Sequence, residues 1–160
     1  MPASGRFILY PEDEKRRLIV PNMLNQEGMG ALLAMLFQDA QGVIAGGGNF
    51  YIGLKDINAS PTDTLATITG EPSGNGYARQ PVVRSAVGWP VTNLINGSGM
   101  ITSLVVNFTA SGGNWSTVSR LFLCSVASGV GLLFAESASF TPITVTDGQT
   151  LPAQYEFFLN

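Results

Sequence analysis

From Asn49 to the C-terminus, short apolar runs alternate with glycine-bearing turns, and this succession limits the fold more than any other feature. The runs are Phe50–Leu54, Tyr77–Val87, Thr92–Ile95, Met100–Thr109, Val118–Val126, Leu132–Ser139, Ile143–Val145 and Gln154–Leu159. Between them stand Gly88 and Pro90, Asn96–Gly99, Gly112–Asn114, Ser128–Gly129, Pro142 and Asp147–Gly148. Glycine and asparagine reach positive φ cheaply and proline fixes its own φ, so each of these marks a turn for a physical reason. Strands at this spacing predict a mainly β protein, an antiparallel β-sandwich or jelly-roll. Leu121–Leu123 and Leu132–Phe134 are continuous rather than alternating. That predicts strands buried on both faces, one of them a candidate subunit interface.

The first 48 residues read differently. Phe7, Ile8, Leu9 and Tyr10 form one β-prone run and Leu18, Ile19 and Val20 another, separated by a proline and a charged loop, Glu12–Arg17. This predicts a hairpin or extended arm over residues 1–22, too small to stand alone and in need of a surface, its own domain or a neighbour. Residues 23–38 carry helical spacing: Leu24, Gly28, Ala31, Leu32, Met35 and Leu36 share one face, with Asn22 or Asn25 as cap. Met29, Leu33 and Phe37 widen the apolar surface, so the helix is expected to be buried on more than one side. Gly28 and Gly30 suit a close approach by a second element. The domain proper is then 23–160, led by this helix.

Only 12% of the 160 residues are charged, 45% are apolar and mean hydropathy is positive. An average soluble domain has about 25% charged residues. So bare a surface predicts coverage by other chains, hence a homo-oligomer, the alternative being a monomer solvated by Ser, Thr, Asn and Gly. Net charge is −3, with no basic stripe for nucleic acid. The one basic cluster, Lys15–Arg17, follows Glu12–Glu14 and is neutralised by it.

Histidine is absent and Cys124 is the sole cysteine, so His-based catalysis, zinc and haem sites and an internal disulfide are not expected. No serine sits in a nucleophile elbow, no feature pairs Asp56, Asp63, Glu71 or Glu136 across a cleft, and Gly46–Gly48 lacks the context of a phosphate loop. No enzyme, metal or cofactor is expected. Residues 1–20 hold no signal-like apolar core and no run is long enough to span a bilayer, so assembly in a cytosol is expected.

The most specific stretch is Glu71–Pro72–Ser73–Gly74–Asn75–Gly76–Tyr77–Ala78–Arg79–Gln80. Gly74 and Gly76 make the turn. Arg79 carries a planar fork suited to one carboxylate, with Glu71, Asp56 and Asp63 nearest in sequence. A structural lock between loop and sheet is the favoured reading, a ligand site the other. Trp115, beside Gly113–Asn114, reads as an anchor at one end of the sheet, with carbohydrate stacking as its sharper alternative.

This segment, with Pro61–Thr64, Trp115–Val118, Gly131–Phe134 and Val145–Leu151, resembles a family of small structural proteins of tailed bacteriophages, over residues 24–160. The resemblance implies a virion structural protein. Within that class we expect a capsid decoration protein, trimeric, that clamps neighbouring major-capsid subunits through the arm residues Phe7 to Tyr10 and Leu18 to Val20. Deleting residues 1–21 should then leave a soluble fold without attachment. The alternatives are a tail or fibre-base module for a receptor or sugar, or a neck adaptor.

Overall fold

Residues 4–10, 18–28, 48–95 and 98–159 are described by the structure, a computed structural model. Ten strands run through them: β1 (Ser4–Leu9), β2 (Leu18–Leu24), β3 (Asn49–Lys55), β4 (Gln80–Val83), β5 (Val91–Ile95), β6 (Ser98–Thr102), β7 (Val106–Thr109), β8 (Arg120–Cys124), β9 (Leu133–Ser137) and β10 (Thr150–Leu159). They form one curled antiparallel sheet in the order β4-β3-β8-β9-β2-β1-β10-β6-β5, with β7 on the first residues of β10. The expectation of a mainly β, antiparallel protein is met. Side chains from distant strands meet in one core, among them Phe7 and Leu9 of β1, Leu54 of β3, Phe108 of β7, Leu121 of β8 and Tyr155 of β10.

The supposed arm is part of that core. β1 pairs with β10 from Ser4↔Phe158 to Leu9↔Ala153 and with β2 on its other edge. Phe7, Ile8, Leu9 and Val20 are buried, and Tyr10 donates to Gln154 Oε1 at 3.1 Å. Ile19 is exposed and Leu18 half-buried. The hairpin reading is correct, but the surface it needed is the chain's own β10, whose ten residues require a partner along both edges. Gly5 makes the fit possible, since a Cβ there would stand 2.7 Å from the Tyr155 hydroxyl and the Glu156 carbonyl. The boundary drawn at residue 22 falls inside β2, which pairs with β1 through Leu18–Pro21 and with β9 through Asn22–Leu24.

The helix drawn from residue 23 also begins too early, because Met23 and Leu24 complete β2. A helical turn spans 26–28, and the rest of that segment lies outside the described residues. Gly28 does permit a close approach: a Cβ would sit 2.4 Å from the Phe134 carbonyl oxygen. Among the described residues no helix is long and apolar enough to cross a membrane.

Two irregularities explain the broken alternation. Thr102 pairs with Glu156 and Val106 with Ala153, so three residues, 103–105, face two of β10, 154 and 155. This bulge splits Met100–Thr109 into β6 and β7 and turns Leu104 and Val105 to solvent. A second bulge lies between β8 and β9, where Leu123 pairs with Ala135 and Cys124 with Leu133. The skipped Phe134 joins the core, edge-on to Phe50 at 5.0 Å, while Leu133 joins Phe122 and Cys124 on the opposite face. That opposite face is covered by Leu65, with Ile68 packed against it, from the long loop after β3. The continuous apolar runs are therefore buried on both faces by their own chain, not by a second subunit.

Candidate functional site

The segment 70–80 is held by a sequence of polar contacts that starts in its turn. Gly70, Gly74, Asn75 and Gly76 all have positive φ (83°, 71°, 48° and 75°). Tyr77 N–H donates to the Gly74 carbonyl at 2.9 Å, closing the turn. The left-handed Asn75 aims its carbonyl at the next loop, where it accepts from Ser111 N–H at 2.9 Å and Trp115 Nε1–H at 2.8 Å. Its amide donates to the Asn114 carbonyl at 2.8 Å. Trp115 is thereby buried, with the Tyr77 ring edge-on to it at 5.4 Å. A buried indole offers no face to a sugar, so the stacking alternative for Trp115 is withdrawn.

Tyr77 carries the contact inward. Its hydroxyl accepts from Leu54 N–H at 2.9 Å and stands 2.9 Å from Glu71 Oε1 and 3.3 Å from the Leu54 carbonyl. One proton cannot serve both acceptors, and the shorter contact assigns it to Glu71. Glu71 also accepts the Arg79 fork, Nε on Oε1 at 2.9 Å and Nη2 on Oε2 at 2.6 Å. Arg79 Nη1 donates to the carbonyls of Val126 and Gly129, and the guanidinium lies over the Phe122 ring at 5.3 Å. Tyr77 and Arg79 do not share a strand face, since β4 begins only at Gln80. What joins them is the carboxylate of Glu71.

The electrostatics fit a lock rather than a reactive centre. Burial, reinforced by the negative charge of Glu71, raises the Tyr77 phenol far above its ordinary value. Burial is the largest influence and works against the charge of Arg79, but its hydrogen bond to Glu71 and the charges of Cys124, Glu71 and Tyr77 together outweigh it and hold the guanidinium protonated. Burial also pushes the Cys124 thiol up to about 11, although Arg79 opposes this. None of these groups exchanges a proton near neutral pH. The donors of Arg79 are engaged by the chain itself.

A second polar cluster, which the sequence did not disclose, lies under the loop after β3. Lys55, the last residue of β3, and Glu136, in the middle of β9, are 1% and 0% exposed and form an ion pair through Nζ and Oε1. The other oxygen, Oε2, accepts from Asn25 Nδ2 at 3.0 Å. That amide nitrogen also donates to the carbonyls of Ser60 at 3.0 Å and Asp63 at 3.3 Å, which fixes its orientation. Asn25 Oδ1 is buried and has no hydrogen-bond partner among the described residues, so Asn25 does not cap the turn that follows it. Asp63 Oδ2 stands 3.8 Å from Lys55 Nζ and accepts from Ser60 N–H at 2.9 Å. An amine, a carboxyl and a carboxamide are thus brought together away from water. The only sequence signal was a lysine and a glutamate each placed within an apolar strand.

Among the described residues no three acidic or thiol side chains gather as a metal site. No protein-family model matches this sequence, and no curated protein is significantly similar to it.

Proposed function

We propose that this chain is a structural protein of a tailed-phage virion, a capsid decoration protein whose copies, grouped as trimers, clamp neighbouring major-capsid subunits. The observation that carries the reading is a group of apolar side chains left in solvent on a chain that already fills its own core. Val83, Val87, Leu104 and Val105 are 41%, 71%, 46% and 45% exposed. They sit on two segments joined backbone to backbone, Leu104 N–H donating to the Gly88 carbonyl at 2.7 Å. Monomeric proteins seldom gather such residues, and a covering subunit removes their cost. The low charge content and the resemblance at 71–80 support the same reading.

We read the curled sheet as a β-sandwich. β2 supports this by serving two strand groups, β1 with β10 and β9 with β8, as corner strands do. Attachment by a free arm is no longer part of the reading, because β1 and β2 lie within the sheet. Clamping rests instead on the apolar surface, multiplied over many copies.

Gel densitometry of virions carrying this protein tests the proposal. A ratio to the major capsid protein of one, or a simple fraction such as one third, is expected. A ratio of a few per cent overturns the capsid-wide role in favour of a tail, fibre-base or neck component. Absence from the particle overturns the virion assignment as a whole.

A further inference from the structure

We propose that Lys55 and Asn25 are joined by an intramolecular isopeptide bond, formed by the protein itself with Glu136 as the proton carrier. The inference stands on the buried cluster alone and does not depend on the virion reading.

Glu136 bridges the two partners, one carboxylate oxygen on the Lys55 amine and the other on the Asn25 amide nitrogen. Lys55 and Asn25 are therefore neighbours of one carboxylate, each in contact with a different oxygen of it. All three residues are buried, which shields an amine, an acid and an amide from competing water. The fold also holds them there. Lys55 ends β3, Glu136 lies on β9 opposite Phe122 of β8, and Asn25 continues from β2 with its N–H on the Phe134 carbonyl at 3.0 Å. Fixing reactants in one geometry is what allows a slow acyl transfer to proceed within a protein.

The atoms balance without a co-reactant. Glu136 takes one proton from the Lys55 ammonium, leaving a neutral amine. The nitrogen lone pair attacks Asn25 Cγ, forming the new C–N bond and placing negative charge on Oδ1. That atom has no hydrogen-bond partner among the described residues, so the donor that stabilises its charge is the carboxyl proton Glu136 has just taken up. Collapse breaks the Cγ–Nδ2 bond. The departing nitrogen takes the second proton released by the Lys55 nitrogen, passed through Glu136, and leaves as ammonia. Lys55 and Asn25 end as a secondary amide, and Glu136 ends protonated.

Asp63 is the competing acyl donor, since its carboxylate is 3.8 Å from the same amine. It is a poorer one. Its side chain keeps 24% of its exposure, open to competing water, and its Oδ2 is engaged by the Ser60 N–H. The product would join β2 to β3 across β8 and β9, closing a covalent loop through two of the sheet's inner strands.

Intact-mass spectrometry of the full chain, purified folded and then denatured, is the test. The wild type is expected to be one ammonia lighter than its sequence mass, and proteolysis should yield a branched peptide joining Lys55 to Asn25. Lys55→Arg and Glu136→Gln should return the full sequence mass, and Asn25→Asp should lose one water instead. A folded wild type at full sequence mass after prolonged incubation overturns the proposal. So does an ammonia loss that maps to a cyclic imide at Asn75–Gly76 or Asn96–Gly97, or a water loss that maps to Lys55–Asp63.

Discussion

Arg79 and Glu71 meet fork to fork, through contacts of 2.9 and 2.6 Å, with the Tyr77 hydroxyl on the same carboxylate. The turn at 74–76 is thereby tied to β3 and β8 through one acidic side chain, while Asn75 ties it to the Trp115 loop. Replacing Arg79 with Met leaves Glu71 half-buried without its counter-charge. Glu71 keeps some contact with water, so the cost falls below that of a fully buried pair, about 2–3 kcal/mol. Urea unfolding of Arg79→Met, Glu71→Gln and the double variant is expected to show the double costing clearly less than the sum, since the two act as a unit. Additive losses would show that they do not.

Two glycines of the lock region separate backbone strain from crowding. Gly74 has positive φ and open space around it, so Gly74→Ala should cost about 1 kcal/mol, from the backbone alone. Gly53 has no φ constraint, but a Cβ there would stand 2.2 Å from the Phe122 ring. That ring cannot swing aside, because the Arg79 guanidinium lies over it. Gly53→Ala is expected to cost more, roughly 2–3 kcal/mol. Thermal melts of the two variants side by side give the comparison, and equal losses would mean that Phe122 moves freely.

Cys124 sets a direction for pH dependence. Its thiol is raised from 9.0 to about 11 in the fold, so the native state holds this proton more tightly than the unfolded chain. The stabilisation is complete below pH 9 and is lost as pH rises from 9 through 11, by an amount on the order of 3 kcal/mol. Tyr77 and Tyr155, both raised by burial, act with the same sign above pH 10. Denaturant midpoints are therefore expected to fall steadily from pH 9 upward. Cys124 should resist alkylation at pH 8 until the protein unfolds. Rapid modification of the native protein would contradict this.

What the sequence made legible was local. Gly74, Gly76 and Asn75 announced a turn, and Arg79 announced a partner carboxylate within reach of that turn. The pairing of Lys55 with Glu136 was not legible, because strand order alone brings β3 and β9 to either side of β8. Nor were the two bulges, since one residue too many in a strand leaves no mark in its composition. The arm was misassigned for a related reason. Phe7 to Leu9 state that they need a surface, but only the register of β10 says whose surface it is.

That register carries the prediction that departs furthest from an arm. Deleting residues 1–21 removes β1, half of β2 and the buried side chains of Phe7, Ile8, Leu9 and Val20. Each contributes about 1.5–3 kcal/mol by burial, so together they account for on the order of 6–12 kcal/mol. The whole stability of a domain is typically about 5–15 kcal/mol. β10 would also lose a ladder of six residue pairs, leaving a long apolar edge open to other chains. The truncated chain is expected to be insoluble or to lack a cooperative melt. Solvent-facing Ile19→Asp, by contrast, should leave the fold intact, with less than 1 kcal/mol lost. A truncated chain that melts cooperatively near the wild-type temperature would mean that β1 is dispensable, and that the core closes without it.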